Sequence, residues 1–221
     1  MLFAVKLSLV IAMDKLVKKR RSGPRTFDRD QAVDIAMRLF WRHGYEGVSL
    51  NDLTAAIGIA PPSLYAAFGS KAGLYREALD RYSGMPKALN TLSQMTNLRD
   101  VVETLLNSAI DAITEPGEER GCMISSGMIQ CGEDHADLAR ELAERRGLMR
   151  DTIAHKLKPW LDRDRAASLS RYLVTILQGL SVQARDGASR EDLRQIAGEV
   201  VAGIRARNLS DCKKGHRRGV A

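Results

Sequence analysis

Residues 48–75 read VSLNDLTAAIGIAPPSLYAAFGSKAGLY, two short helical patterns broken by a glycine-led turn. Ser49 and Asp52 place a hydroxyl and a carboxylate where the first turn of a helix has unpaired N–H groups, a capping box in its Asp form, so a helix is predicted to begin at about Leu50. Leu53, Ala56 and Ile57 then fall on one face, and Gly58 is the residue that most easily leaves a helix. Pro61 and Pro62 lack N–H donors and carry a φ suited to a first helical turn, so they restart a helix bearing Leu64, Tyr65 and Phe68. Two such short helices bury little between them. They need a third helix behind, which is the plan of a helix-turn-helix that offers its second helix to the DNA major groove.

Working outward, a helix is predicted from about Asp28 to His43, with Ala32, Ile35, Ala36, Leu39 and Phe40 as its buried stripe and Gly44 as its end. Its early acids and late Arg42 and His43 suit the helix macrodipole. Downstream, about Lys71 to Ser83 repeats the helical spacing with Leu74, Tyr75, Ala78, Leu79 and Tyr82, and Gly84 and Pro86 break it.

The segment from about Phe27 to Tyr82 resembles the DNA-binding domain of the tetracycline-repressor-like (TetR/AcrR) transcriptional regulators. The matching residues are Ala36, Leu39, Phe40, Gly44 and Tyr45, then Ser49, Leu53, Ala56, Gly58 and Ile59, then Ser63, Leu64, Tyr65, Phe68, Ser70, Lys71 and Leu74. The resemblance implies an all-α homodimer. Its amino-terminal three-helix helix-turn-helix DNA-binding domain binds double-stranded operator DNA, and a larger helical domain binds a small-molecule effector and dimerises. Repression is the habit of the family. Family logic carries phosphate contact onto Tyr65 and Lys71. The recognition helix departs from the family in having little to hydrogen-bond with, so Pro61, Pro62, Ser63 and Ala66 leave base reading to apolar contact and DNA shape. With Arg25 and Ser49 these residues make up the expected DNA-facing set.

Composition agrees. A chain of 221 residues and 24.4 kDa, 44% hydrophobic and 5% aromatic, can bury one large or two small helical cores. A net charge of +7 and a pI near 9.5 suit a polyanionic partner. Cys122, Cys131 and Cys212 form no C-x-x-C pair, which fits a reducing cytoplasm, and no apolar run is long enough to span a bilayer. Residues 1–26 divide into apolar Met1 to Met13, whose charge order is the reverse of a secretory signal, and a basic arm of Lys15, Lys18, Lys19, Arg20, Arg21 and Arg25. Translation from Met13 and a short helix lying on the protein body are both open for the apolar part. The arm, directly before a DNA-binding domain at 27–83, is expected to touch phosphate or the minor groove.

The remaining helices, 84–208, form the expected effector-binding and dimerisation domain, followed by a basic, disordered tail at 209–221. Leu105, Cys122, Met123, Ser126, Met128 and Ile153 are the expected effector wall, since flexible Met side chains and small residues can line a cavity. A long helix toward Trp160 is expected to bury Leu138, Leu142, Leu148, Met149, Ile153 and Leu157. The last two helices carry Leu173, Leu177, Leu180, Ile196, Val200 and Ile204, the expected dimer interface, with Gly179, Gly198 and Gly203 allowing close packing. The Gly-Cys-Met context of Cys122 resembles the sensing position of thiol-responsive members, so redox or electrophile sensing is an alternative to small-ligand release. Cys131, Glu133, Asp134 and His135 match no zinc spacing. No Glu-x-x-His pair, G-x-S-x-G, Walker loop or Rossmann glycine pattern supports an enzyme, and no metal or cofactor is expected. A helical partner-binding module with little specific DNA binding is the remaining alternative.

Overall fold

The computed structural model of the chain describes residues 27–82, 89, 92, 95–129 and 131–215, with side chains as far as Ile204. Helix α1 (Arg29–His43) is capped by Asp28, whose carboxylate accepts the Asp30 and Gln31 N–H groups. Helices α2 (Leu50–Ile57) and α3 (Pro61–Phe68) are the predicted pair, joined through Gly58 in the left-handed region at φ 77°. Helix α4 (Lys71–Arg81) is capped by Ser70 and packs along α1. Ser83, Gly84 and Pro86, where the sequence predicts its end, lie outside the described residues.

The second half contains α5 (Leu98–Ile113), the single turn α6 (Met123–Ser126), a 3-10 turn at Glu133–His135, α7 (Ala136–Leu157), α8 (Arg163–Arg185) and α9 (Arg190–Gly215). Asn97 caps α5, Asp162 caps α8, and Ser189 with Asp192 forms a second capping box at the start of α9. Helix α7 packs on α8, and α5 is held between α8 and α9. That sandwiching explains the broad apolar face of α5, on which Val101, Val102, Leu105, Leu106 and Ile110 are fully buried. No strand occurs among the described residues.

Several predicted faces are turned. On α1 the structure buries Val33 and Trp41, whereas Ile35 and Leu39 are half-buried, because the second half covers the Trp41 side and its Nε1–H donates to the Gly121 carbonyl at 3.0 Å. On α2 the buried partner of Leu53 is Thr54 and not Ala56, whose side is exposed. Leu148 is 66% exposed, off the α7 stripe of Leu138, Leu142, Met149, Ile153 and Leu157. Helix α9 continues past Asn208 into the predicted disordered tail, since neither Pro nor Gly interrupts it between Asn208 and Gly215.

Candidate nucleic-acid interface and domain-junction recess

Leu64 and Phe68 anchor α3 in the core, fully buried and 7% exposed respectively. The opposite face carries Pro61, Pro62, Ser63, Tyr65 and Ala66, all exposed. Tyr65 is 47% exposed and is therefore no core aromatic; its ring and hydroxyl stand on the surface. Ala60 gives α3 no side-chain cap, and the two prolines have no N–H to donate. The positive end of this helix therefore lacks two of the amides that usually hold an anion there. Ser49 is exposed at the start of α2, but its hydroxyl is engaged with Asp52, accepting the Asp52 N–H at 3.1 Å and donating to the carboxylate at 2.7 Å. Those bonds from Ser49 hold the Asp52 carboxyl below the usual carboxylate range.

Charge is distributed unexpectedly. Between Phe27 and Tyr82 six Lys and Arg residues stand against seven Asp and Glu. All five arginines are tied to acids: Arg29 to Glu77, Arg81 to Asp30 and Asp34, Arg38 to Glu118, Arg42 to Glu119 and Arg76 to Glu141. Among the described residues of this segment only Lys71 has no carboxylate within ion-pair distance. Its ammonium sits 4.1 Å from the Tyr45 ring centre, and partial burial holds it below the usual lysine range. Arg25 and the other arm cations lie outside the described residues.

The expected effector set does not assemble as one wall. Leu105 and Ile153 are fully buried in the helical core, and Cys122 is buried as the cap of α6, its sulfur accepting the Ser125 N–H at 3.4 Å. Met123, Ser126 and Met128 instead line a recess of about 280 Å³ at the junction of the two halves. Its other wall is Phe40 and the loop His43 to Gly47, with Tyr75 of α4 at the back and Ile129 and Arg185 at the edges. Phe40, Tyr45 and Tyr75 form a ring cluster with centroids 4.9 to 6.0 Å apart. Burial raises the Tyr75 hydroxyl pKa, keeping it neutral, while Arg146, Arg145 and Arg185 around it act the other way. These recess residues are scattered from position 40 to 185, and no local pattern in the sequence could have grouped them.

The expected dimer residues point inward. Leu173, Leu177, Leu180, Val200 and Ile204 are buried inside the chain itself and Ile196 is half-buried. Their apolar stripe is needed to seat α8 and α9 on the rest of the domain, and beyond the backbone of their own helix Gly179, Gly198 and Gly203 have no heavy atom within 4 Å of where a Cβ would stand. The outward face of α8 carries Tyr172, Thr175, Gly179 and Val182. Among the described residues no cluster of three or more His, Cys, Asp or Glu could hold a metal ion. Among them, too, no helix is long and apolar enough to cross a membrane.

Residues 32–78 match the signature of the bacterial regulatory proteins of the tetR family. The chain is 36% identical over 194 residues to the HTH-type transcriptional repressor ComR of Escherichia coli strain K12, covering 82% of this chain and 91% of ComR. It is 34% identical to the HTH-type transcriptional repressor BdcR of the same strain, covering 86% of this chain and 98% of BdcR. Among solved structures, a cysteine mutant of the TetR family transcriptional regulator CifR in complex with a 26 bp double-strand operator DNA superposes with a TM-score of 0.75 at 34% identity. The match covers 81% of this chain and 98% of that one.

Proposed function

The chain belongs to the tetR family of bacterial regulatory proteins and is a DNA-binding transcriptional repressor, and from that premise we propose that it binds its operator as a cytoplasmic homodimer and is released by a small-molecule effector. The observation that supports the binding mode best is the α3 surface, apolar and exposed along one side and packed into the core along the other. Such a face reads thymine methyls and groove shape, with Ser63 and Tyr65 supplying the polar contacts. Phosphate attraction comes chiefly from the arm preceding Phe27, because the arginines of the folded domain are already paired. Seven Lys and Arg residues against one acid occupy positions 1–26. The partner copy packs on the outward faces of α8 and α9, through Tyr172, Val182 and the small residues between them.

The thiol-sensing alternative finds less support. Cys122 is 6% exposed and its sulfur serves as a helix cap, so an electrophile reaches it only after the segment opens.

The test is a gel-shift titration with DNA from upstream of the gene, repeated with excess nonspecific duplex and rising salt. A shift that resists competitor supports operator-specific repression. One abolished by competitor leaves charge alone and favours the partner-binding module.

A further inference from the structure

The recess between the two halves has features that packing alone does not explain. Met128 adopts φ 51°, and it is the single residue other than glycine with a positive φ among those described. Next to it Ile129 is 66% exposed, an apolar side chain held over the mouth. Backbone strain and exposed apolar surface beside a cavity are what a ligand site retains when empty.

The guanidinium groups sharpen this. Four arginines at the junction have carboxylate partners: Arg38, Arg42, Arg76 and, through Asp80, Arg145. Arg146 and Arg185 do not. Half-buried Arg146 donates at 3.0 Å to the carbonyls of Ile124 and Gly127, behind the recess wall. Arg185, on the lining, donates to the Trp41 carbonyl. Glu46 is the one carboxylate on the rim, exposed and facing His135 at 3.8 Å. Two cations bonded only to neutral oxygens, half-buried Arg146 behind the wall and exposed Arg185 at the edge, leave the Arg185 edge of the recess positive and able to take an anion. Its volume lies at the small end of ligand pockets.

We propose that this recess binds a small aromatic carboxylate, its ring against Phe40, Tyr45 and Met123 and its anion toward Arg185, and that occupancy weakens operator binding. The regulatory half rests on the reading of the chain as an effector-released repressor. One wall, Gly44 to Gly47, leads directly into the Ser49 cap of α2, whereas the other belongs to the effector domain. A ligand between them separates the loop from residues 123–129 and re-aims the helix-turn-helix relative to its partner copy. Coupling of this kind is reciprocal.

The test is calorimetric titration of the full chain with 2-naphthoate and with neutral 2-naphthamide, with and without operator duplex. Naphthoate is expected to bind once per chain and the amide at least about ten-fold more weakly, the worth of one charge-assisted hydrogen bond. Arg185→Gln should abolish that preference, and Ser126→Phe should block both ligands. Ile129→Ser, at the exposed rim where folding is not at stake, should weaken both. Operator should lower naphthoate affinity by the factor by which naphthoate lowers operator affinity. Absence of binding, equal binding of acid and amide, or indifference to Ser126→Phe and Ile129→Ser overturns the site. Binding that leaves operator affinity unchanged overturns the coupling. A chain that shifts operator but ignores naphthoate loses this site alone, whereas one that binds naphthoate and never shifts operator specifically loses the effector-released repressor reading.

Discussion

The surface of α3 and the junction behind it belong to the same small domain, yet they use side chains in opposite ways. Outward, the recognition helix shows Pro61, Pro62, Ser63, Tyr65 and Ala66 without a charge among them. Backward, Arg38, Arg42 and Arg76 reach Glu118, Glu119 and Glu141 of the second half. These arginines of the folded domain thus pair with acids of the second half, and in the proposed binding mode the charge offered to DNA comes from the segment before Phe27. Overall basicity therefore says little about which surface meets the polyanion.

The strongest way to break this contrast is to delete residues through Arg21. Removing Lys6, Lys15, Lys18, Lys19, Arg20 and Arg21 should weaken binding to every duplex by about a hundred-fold or more. The slope of log K against log salt should fall by up to about 5, near 0.9 for each phosphate no longer neutralised. An unchanged slope in filter-binding assays would return phosphate binding to the folded domain. Next, Tyr65→Ala should lower operator affinity roughly ten-fold, the equivalent of one hydrogen bond. Because the side chain is exposed, urea denaturation should show a stability change of no more than about 0.5 kcal/mol; a larger loss would mean that Tyr65 packs in the core after all.

On the junction side, Arg76→Ala removes a bidentate pair with Glu141, whose side chains are 42% and 35% exposed. Solvent screening limits the cost to about 1 kcal/mol or less in denaturant titrations. The larger expected change is in coupling, with operator release by ligand becoming less complete. The smallest effect concerns pH. The Asp52 carboxyl is held low by the Ser49 hydroxyl and N–H, so its contribution is fully present above the ordinary carboxylate pKa and is lost as pH falls through its depressed folded value. The stability difference between the wild type and Asp52→Asn should therefore shrink on acidification below the carboxylate range. A difference that grew instead would show that the capping box does not depend on the ionised carboxylate.

Legibility followed range along the chain. The α2–α3 pair was readable because Ser49, Asp52, Gly58 and Pro61 act within four residues of themselves, and the resemblance across Phe27 to Tyr82 named the fold class directly. Of the residues expected at an effector wall, only some come together at one recess. Met123, Ser126 and Met128 share one short segment, but the side they face depends on α1 and α4, and Leu105 and Ile153 were claimed by the core. For the dimer stripe the error was one of rotation. Leu173, Leu177 and Leu180 mark an apolar face correctly, but a helix buried against its own chain uses that face first.

The sequence by itself determined where the capped helices start, the presence of a helix-turn-helix and the excess of basic charge, since caps, prolines and composition act locally or simply add. Only the tertiary structure decided that Trp41 is covered, that the arginines are paired, and that positions from 40 to 185 close around one recess. Those outcomes depend on which surfaces exclude water together, a property of neighbours far apart in the chain.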